Sequence, residues 1–172
     1  MKNKSLPFLF VISSLFLLVI FSASTCHQNS SETAYKPLFM KRAELESSIK
    51  FEGPAELNNP AKIYYKDNII FIRESYKGIH MVDNTNPKAP VKIGFISVVG
   101  CLDLAIKGTT LYVDNATDLV AIDASDATKP FVVKRIVDAF PEPFPPDQLS
   151  IPSQYIKENR APDLVLVSWF KK

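Results

Sequence analysis

Cysteine, histidine and glycine are scarce in this chain, and its positive and negative charges nearly cancel. The 172 residues include two Cys, two His and five Gly, with 20 basic and 18 acidic side chains. Two Cys exclude a disulfide-rich scaffold and a four-cysteine zinc site, and two His leave little room for a histidine metal site. A nucleic-acid binder normally shows a strong basic excess, so no nucleic-acid partner is expected.

Signatures of nucleotide, haem and hydrolase chemistry are also missing. The sequence has no Walker loop, no dinucleotide-binding glycine fingerprint, no haem-attachment motif and no G-x-S-x-G nucleophile elbow. We therefore expect no cofactor, no metal site and no catalytic residues. Thirteen Pro beside five Gly also argue against a helical bundle and against a glycine-rich linker protein.

The N-terminus has the three parts of a secretory signal peptide. Lys2 and Lys4 form a basic start, an apolar run covers residues 6–21, and small or polar residues lead to Cys26. This layout predicts a signal peptide over residues 1–25. The apolar run is shorter than the roughly 20 residues of a spanning helix, so an uncleaved membrane anchor is the less favoured alternative.

The tetrapeptide Ala23-Ser24-Thr25-Cys26 resembles the lipobox of bacterial lipoproteins. In that family the signal is cut before the Cys, which then carries fatty acyl chains. The resemblance implies lipid attachment at Cys26 and a bacterial envelope location, on the outer membrane. Residues 26–36 would then form a lipidated flexible tether. Ordinary cleavage near Ala23 or Thr25, with Cys26 left as a free thiol, is the alternative.

From residue 61 the sequence follows the alternation of short β-strands, rich in β-branched and aromatic residues. A short helix is expected before them, within residues 41–48. Strands are predicted at 61–66, 69–74, 78–83, 91–98, 102–107, 110–114, 118–123 and 131–137. A Pro-rich segment over residues 140–152 and a C-terminal strand at 163–169 complete a β domain that spans residues 37–172.

The predicted strands form an internal repeat. Residues 70–72 match 111–113 at a spacing of 41, and residues 79–83 match 119–123 at a spacing of 40. Two positions are identical in both copies, in the pairs Asp83/Asp123 and Pro90/Pro130. Four strands in about 40 residues are typical of a β-propeller blade. We predict an all-β fold of two four-stranded antiparallel repeats, 61–100 and 101–140, forming blades of an incomplete ring.

Within this repeat, Leu119-Val120-Ala121-Ile122-Asp123 resembles the LVIVD repeat, as does the segment 78–90. The similarity extends over about residues 40–140. That family comprises secreted, often lipid-anchored bacterial proteins with β-propeller repeats. The resemblance therefore implies propeller-like blades and an envelope location, and it implies no particular ligand.

Several polar and aromatic residues are candidates for function. Asp83 and Asp123 end equivalent strands and are expected to bind backbone amides of the turns they open. The loop acids Asp114, Asp118 and Asp126 offer an alternative set for Ca²⁺, carbohydrate or catalysis. Structural roles are expected for the others: His80 in a strand, Cys101 as a buried thiol, Trp169 in a core and residues 140–146 as a spacer.

These features predict a non-enzymatic, lipid-anchored envelope protein whose blades bind or scaffold another envelope component, a protein or a glycan. Its membrane contact would be the lipid anchor, and open sheet edges could pair with a second copy. Two alternatives remain: a carbohydrate- or Ca²⁺-binding module or enzyme built on the loop acids, and a truncated family member without independent function.

Overall fold

The computed structural model describes residues 32–172, so the predicted signal peptide and Cys26 lie outside the described residues. This part of the chain is built from strands, with one five-residue α-helix and two short 3-10 helices, Ser153–Tyr155 and Lys157–Asn159, between the last two strands. In chain order the elements are β1 (Tyr35–Lys41), α1 (Arg42–Glu46), β2 (Lys50–Glu52), β3 (Pro60–Lys66), β4 (Ile69–Glu74), β5 (Gly78–Asp83), β6 (Val91–Ser97), β7 (Leu104–Lys107), β8 (Thr110–Asn115), β9 (Asp118–Asp123), β10 (Phe131–Ile136) and β11 (Leu164–Lys171).

The two repeats form two separate antiparallel sheets. Sheet 1 has the strand order β2-β6-β5-β4-β3, and sheet 2 has the order β10-β9-β8-β7. Strands β3–β6 and β7–β10 are therefore two consecutive four-stranded meanders, and neither sheet closes on itself. The expectation of an all-β fold is confirmed, and the eight repeat strands lie where the alternating pattern predicts them.

Two strands were missed, and one predicted boundary is wrong. Strands β1 and β2 have no counterpart in the sequence-based prediction, and the tether predicted over residues 26–36 extends too far. Thr33 is buried, its hydroxyl donates a hydrogen bond to the carboxylate of Asp147 at 2.8 Å, and β1 begins at Tyr35. These contacts fix residues that composition alone assigns to a flexible polar stretch.

A hydrophobic core lies between sheets 1 and 2. Within each sheet, residues directly opposite one another on paired strands share a face. Sheet 1 contributes one face to this core, represented by Phe71, Ile79 and Met81. Sheet 2 contributes a face represented by Leu111, Val113, Val120 and Ile122.

The two faces that meet in this core are not equivalent in the repeat. The repeat counterparts of Phe71, Ile79 and Met81 are Tyr112, Leu119 and Ala121, at spacings of 41 and 40. We call these two sets the A faces of sheets 1 and 2.

The opposite surfaces of the two sheets are the B faces. In sheet 2 the B face carries Leu111, Val113, Val120 and Ile122. In sheet 1 it carries their repeat counterparts Ile70, Ile72, His80 and Val82. The core thus joins the A face of sheet 1 to the B face of sheet 2.

The change of spacing from 41 to 40 has a local cause. The loop between β4 and β5 covers residues 75–77, whereas the loop between β8 and β9 covers residues 116–117. Each loop contains one non-glycine residue with positive φ, Tyr76 at 63° and Ala116 at 59°. The shorter second loop removes one residue without changing which side chains of the two strands share a face, because the missing residue lies outside the paired strands.

A third sheet joins the two ends of the described chain. Strands β1 and β11 pair antiparallel, from Tyr35 opposite Lys171 to Lys41 opposite Leu164. A second hydrophobic cluster connects this sheet to α1 and to the loop between β8 and β9, through the buried residues Leu45, Ala116, Val165 and Val167. No helix within residues 32–172 has the length and apolar character needed to cross a membrane.

Replacing Gly78 tests how tightly the strands of sheet 1 pack. Its φ is 150°, and an added Cβ would collide with the backbone oxygen of Ile96 on the neighbouring strand. We expect Gly78→Ala to lower the free energy of unfolding by about 2 kcal/mol or more, since backbone atoms must move. Gly53→Ala is the matched control, because nothing lies within 4 Å of its added Cβ. Equal urea midpoints for the two variants would contradict this account.

Candidate functional site

The repeated aspartates Asp83 and Asp123 hold the turns that follow β5 and β9. Asp83 Oδ1 accepts a hydrogen bond from the backbone N–H of Thr85 at 2.8 Å, and Asp123 Oδ1 accepts one from Ser125 at 2.7 Å. Hydrogen bonding from the side chains of Thr85 and Ser125, together with these backbone bonds, lowers the pKa of both carboxyls. Pro90 and Pro130 occupy equivalent positions immediately before β6 and β10, where a fixed φ restricts the chain as it enters the strand.

The three loop acids do not form one site. Asp126 accepts a hydrogen bond from the backbone N–H of Thr128 at 2.9 Å, as a local turn residue. Asp114 binds the backbone N–H groups of Leu102 and Asp103 at 2.9 and 2.7 Å. Asp118 is fully buried in a separate ion-pair network. Within residues 32–172, no three His, Cys, Asp or Glu side chains are placed to share a metal ion.

Asp118 is the centre of the main polar network in the described chain. Its two carboxylate oxygens lie 2.7 Å from the guanidinium groups of Arg42, in α1, and Arg135, in β10. Asp118 also accepts a hydrogen bond from the backbone N–H of Asp138 at 3.1 Å. Burial opposes ionisation of Asp118, yet these bonds keep its pKa below the ordinary value. The network therefore ties the helix, the β8–β9 hairpin and the end of β10 together.

A second buried polar cluster lies on the B face of sheet 1. His80 Nε2 is 2.8 Å from Glu74 Oε2, and Lys77 Nζ is 2.6 Å from Glu74 Oε1. The imidazole packs on the ring of Phe95, with ring centroids 4.6 Å apart. Burial disfavours the charge of Glu74, but the hydrogen bonds from Lys77 and His80 lower its pKa overall. The sequence pattern placed His80 in a strand but did not indicate Glu74 as its partner.

An apolar groove lies on the A face of sheet 2. It has a volume of about 480 Å³ and is lined by Ala105, Tyr112 and Leu119 of the sheet and by residues 140–144 of the Pro-rich segment. Three aromatic rings at this groove remain exposed: Tyr112 at 36%, Phe140 at 42% and Phe144 at 58%. Such a concave surface with exposed aromatic rings is typical of a binding site. We call it the A-face groove.

The Pro-rich segment is fixed along this groove by hydrogen bonds at two places. The backbone N–H of Phe140 donates to the carbonyl of Thr117 at 2.9 Å, and the indole N–H of Trp169 donates to the carbonyl of Pro143 at 2.8 Å. Glu142 pairs with Arg160. The segment is therefore a wall of the groove, and Trp169 lies behind it as a buried support.

The side chains lining the groove that carry a charge at neutral pH are all acidic: Asp103, Asp114 and Glu142. Burial raises the pKa of Asp114 above its ordinary value, although hydrogen bonds from backbone amides oppose the shift. Asp103 is exposed and pairs with Lys62 at 2.7 Å. Each carboxylate thus has a partner in the same chain, which leaves the aromatic and aliphatic surface as the accessible feature of the groove.

Cys101 lies in the main core and is fully buried. Burial raises the pKa of its thiol, so the reactive thiolate form is suppressed.

Comparisons of the chain with protein-family models, with curated proteins and with solved structures find no match.

Replacing Asp118 tests the ion-pair network. We expect Asp118→Asn to lower the free energy of unfolding by about 3 to 5 kcal/mol, because Arg42 and Arg135 would lose their buried counter-charge. The matched control is Asp123→Asn in the same strand, whose carboxylate holds only a surface turn and whose loss should matter far less. Chemical denaturation of both variants measures the difference, and equal losses would count against the network.

The same network predicts acid sensitivity. A carboxyl with a depressed pKa in the folded state stabilises the fold above its unfolded pKa and loses that contribution as pH falls through the folded value. Asp118 and Glu74 both have depressed pKa values, so unfolding free energy should fall below about pH 4. Denaturation midpoints measured from neutral to acidic pH check this. Asp118→Asn should show a shallower acid loss than the unaltered chain.

Proposed function

We propose that this chain is a lipid-anchored bacterial envelope protein that binds another envelope component through the A-face groove. The observation that carries the proposal is the groove itself. The A face of sheet 1 is buried in the core, whereas its repeat counterpart on sheet 2 presents Tyr112 and the exposed rings of Phe140 and Phe144. An apolar face that is buried in one repeat and exposed in the next is suited to contact with a partner, which would cover it.

The finer description of the fold belongs to the same proposal. Two stacked four-stranded meanders in tandem have the layout of β-propeller blades, and the LVIVD-like segments fall on β5 and β9. We propose that the sheets are two propeller-like blades of an incomplete ring. Binding without catalysis is favoured because Asp114, Asp118 and Asp126 are each engaged in separate hydrogen bonds within the chain.

A glycan is the second candidate for the bound component. Exposed aromatic rings beside carboxylates suit the apolar faces and hydroxyl groups of sugars, and the groove offers both in Tyr112, Phe144 and Asp103. A protein partner is favoured over a glycan because Asp103 and Glu142 already pair with Lys62 and Arg160, so the accessible surface is chiefly apolar.

Site-specific photo-crosslinking tests the groove. We expect p-benzoylphenylalanine in place of Phe144 to give a covalent adduct in the producing cells, because that side chain is 58% exposed at the groove. The control is the same probe in place of Lys88, an exposed residue in the turn between β5 and β6. Adducts would be detected by a mobility shift and identified by mass spectrometry. Absence of any adduct at position 144, with the protein present in normal amount, would contradict the proposal.

Metabolic labelling tests the anchor. The lipobox-like sequence ends at Cys26, so cells fed an alkyne-tagged palmitate should label the unaltered chain and fractionate it with membranes. Cys26→Ser should abolish both the label and the membrane fraction. The control is Cys101→Ser, which removes the buried thiol and should leave labelling intact. Retention of the label by Cys26→Ser would rule out this anchor.

A further inference from the structure

Each sheet has one face outside the core. These two outer faces correspond, through the sequence repeat, to the two faces that pack together in the core. Inside one chain, the A face of sheet 1 packs on the B face of sheet 2. This leaves the A face of sheet 2, which carries the A-face groove, and the B face of sheet 1. The two remaining faces are the repeat counterparts of the two that meet in the core.

On the β3–β4 side, the B face of sheet 1 is apolar and partly exposed. Ile63 and Tyr65 of β3 lie directly opposite Ile72 and Ile70 of β4, so the four side chains share this face. Ile63 is 62% exposed and Tyr65 is 60% exposed. Residues 55–57 cover the other part of the face, over His80, where a smaller cavity of about 200 Å³ lies. The open part of the B face is therefore the part formed by β3 and β4.

We propose that the partner in the A-face groove is a second copy of this chain, which docks the β3–β4 side of its B face there. The inference rests on the proposed function and names the occupant of the same surface. It continues an existing interface, because the contact would repeat between chains the A-to-B packing that joins the sheets within one chain. The groove, at about 480 Å³, has room for side chains such as Ile63 and Tyr65.

This contact is heterologous, because two different surfaces of identical chains meet. Heterologous contacts close into a ring when the rotation between copies allows it and otherwise propagate as a filament. Each copy supplies two sheets, and propeller rings contain 4–8 blades. A closed ring would therefore need about two to four copies. An isologous pairing of two A faces would leave both B faces bare and would not repeat the core contact.

Disulfide trapping between two variants that each carry one introduced, exposed cysteine tests the docking directly. The full-length chain would carry Cys26→Ser, with the buried Cys101 kept, and either Tyr65→Cys or Tyr112→Cys. The two variants carry different tags. When they are mixed under mild oxidation, we expect a disulfide-linked dimer that contains both tags. Tyr65→Cys alone and Tyr112→Cys alone should give little dimer, because neither position meets its own copy.

The controls separate specific docking from random collision. Lys88→Cys mixed with Tyr112→Cys should give no mixed dimer, since Lys88 lies in an exposed turn and not in a strand of either face. Tyr112→Asp should weaken association measured by sedimentation by at least about tenfold, because it places a charge in the apolar contact. Thermal unfolding monitored by circular dichroism checks that each variant is folded. Dimers formed only by Tyr112→Cys with itself, or no dimer at all, would overturn the proposal.

The photo-crosslinking result distinguishes this proposal from the broader one. An adduct at position 144 with a second copy of the chain supports both. An adduct with a different protein or with a glycan overturns the self-docking proposal and leaves the groove as a binding site. No adduct, together with no mixed disulfide, overturns both.

Discussion

The A face of sheet 1 packs on the B face of sheet 2, and this contact between non-equivalent faces determines which sheet surfaces the rest of the chain can cover. Two equivalent sheets that stack through equivalent faces would bury both copies of one surface and expose both copies of the other. Stacking through non-equivalent faces instead leaves one copy of each surface uncovered. Other parts of the chain contact these uncovered surfaces. Residues 55–57 lie over part of the B face of sheet 1, and residues 140–144 border the A face of sheet 2.

Polar interactions hold these additional segments to the sheets. Asp118 is the main example, since its buried carboxylate joins Arg42 before the first repeat to Arg135 at the end of the second. The pairing of β1 with β11 brings the two ends of the described chain together, and Trp169 of β11 supports the wall of the A-face groove through Pro143. The groove is therefore shaped by residues far apart in sequence.

The sequence predicts the repeat strands well because strand alternation and turn residues are local signals. Asp83 and Asp123 recur because each holds its own turn, and the register of residues 79–83 with 119–123 already tells which side chains share a face. Non-local pairings escape prediction. Strand β1 is paired only with β11, and the repeat counterpart of Asp118 is Gly78, so the ion-pair network has no second copy to reveal it. The groove also depends on where the Pro-rich segment is fixed, which its composition does not specify.

We propose that the A face of sheet 2 is a contact surface for a second copy of this chain rather than a bare exterior. Sedimentation velocity of the purified full-length protein over a dilution series tests it most directly. We expect species whose masses are whole multiples of one chain and which dissociate on dilution. A single monomeric species at every concentration would contradict the stacking of one chain on the next.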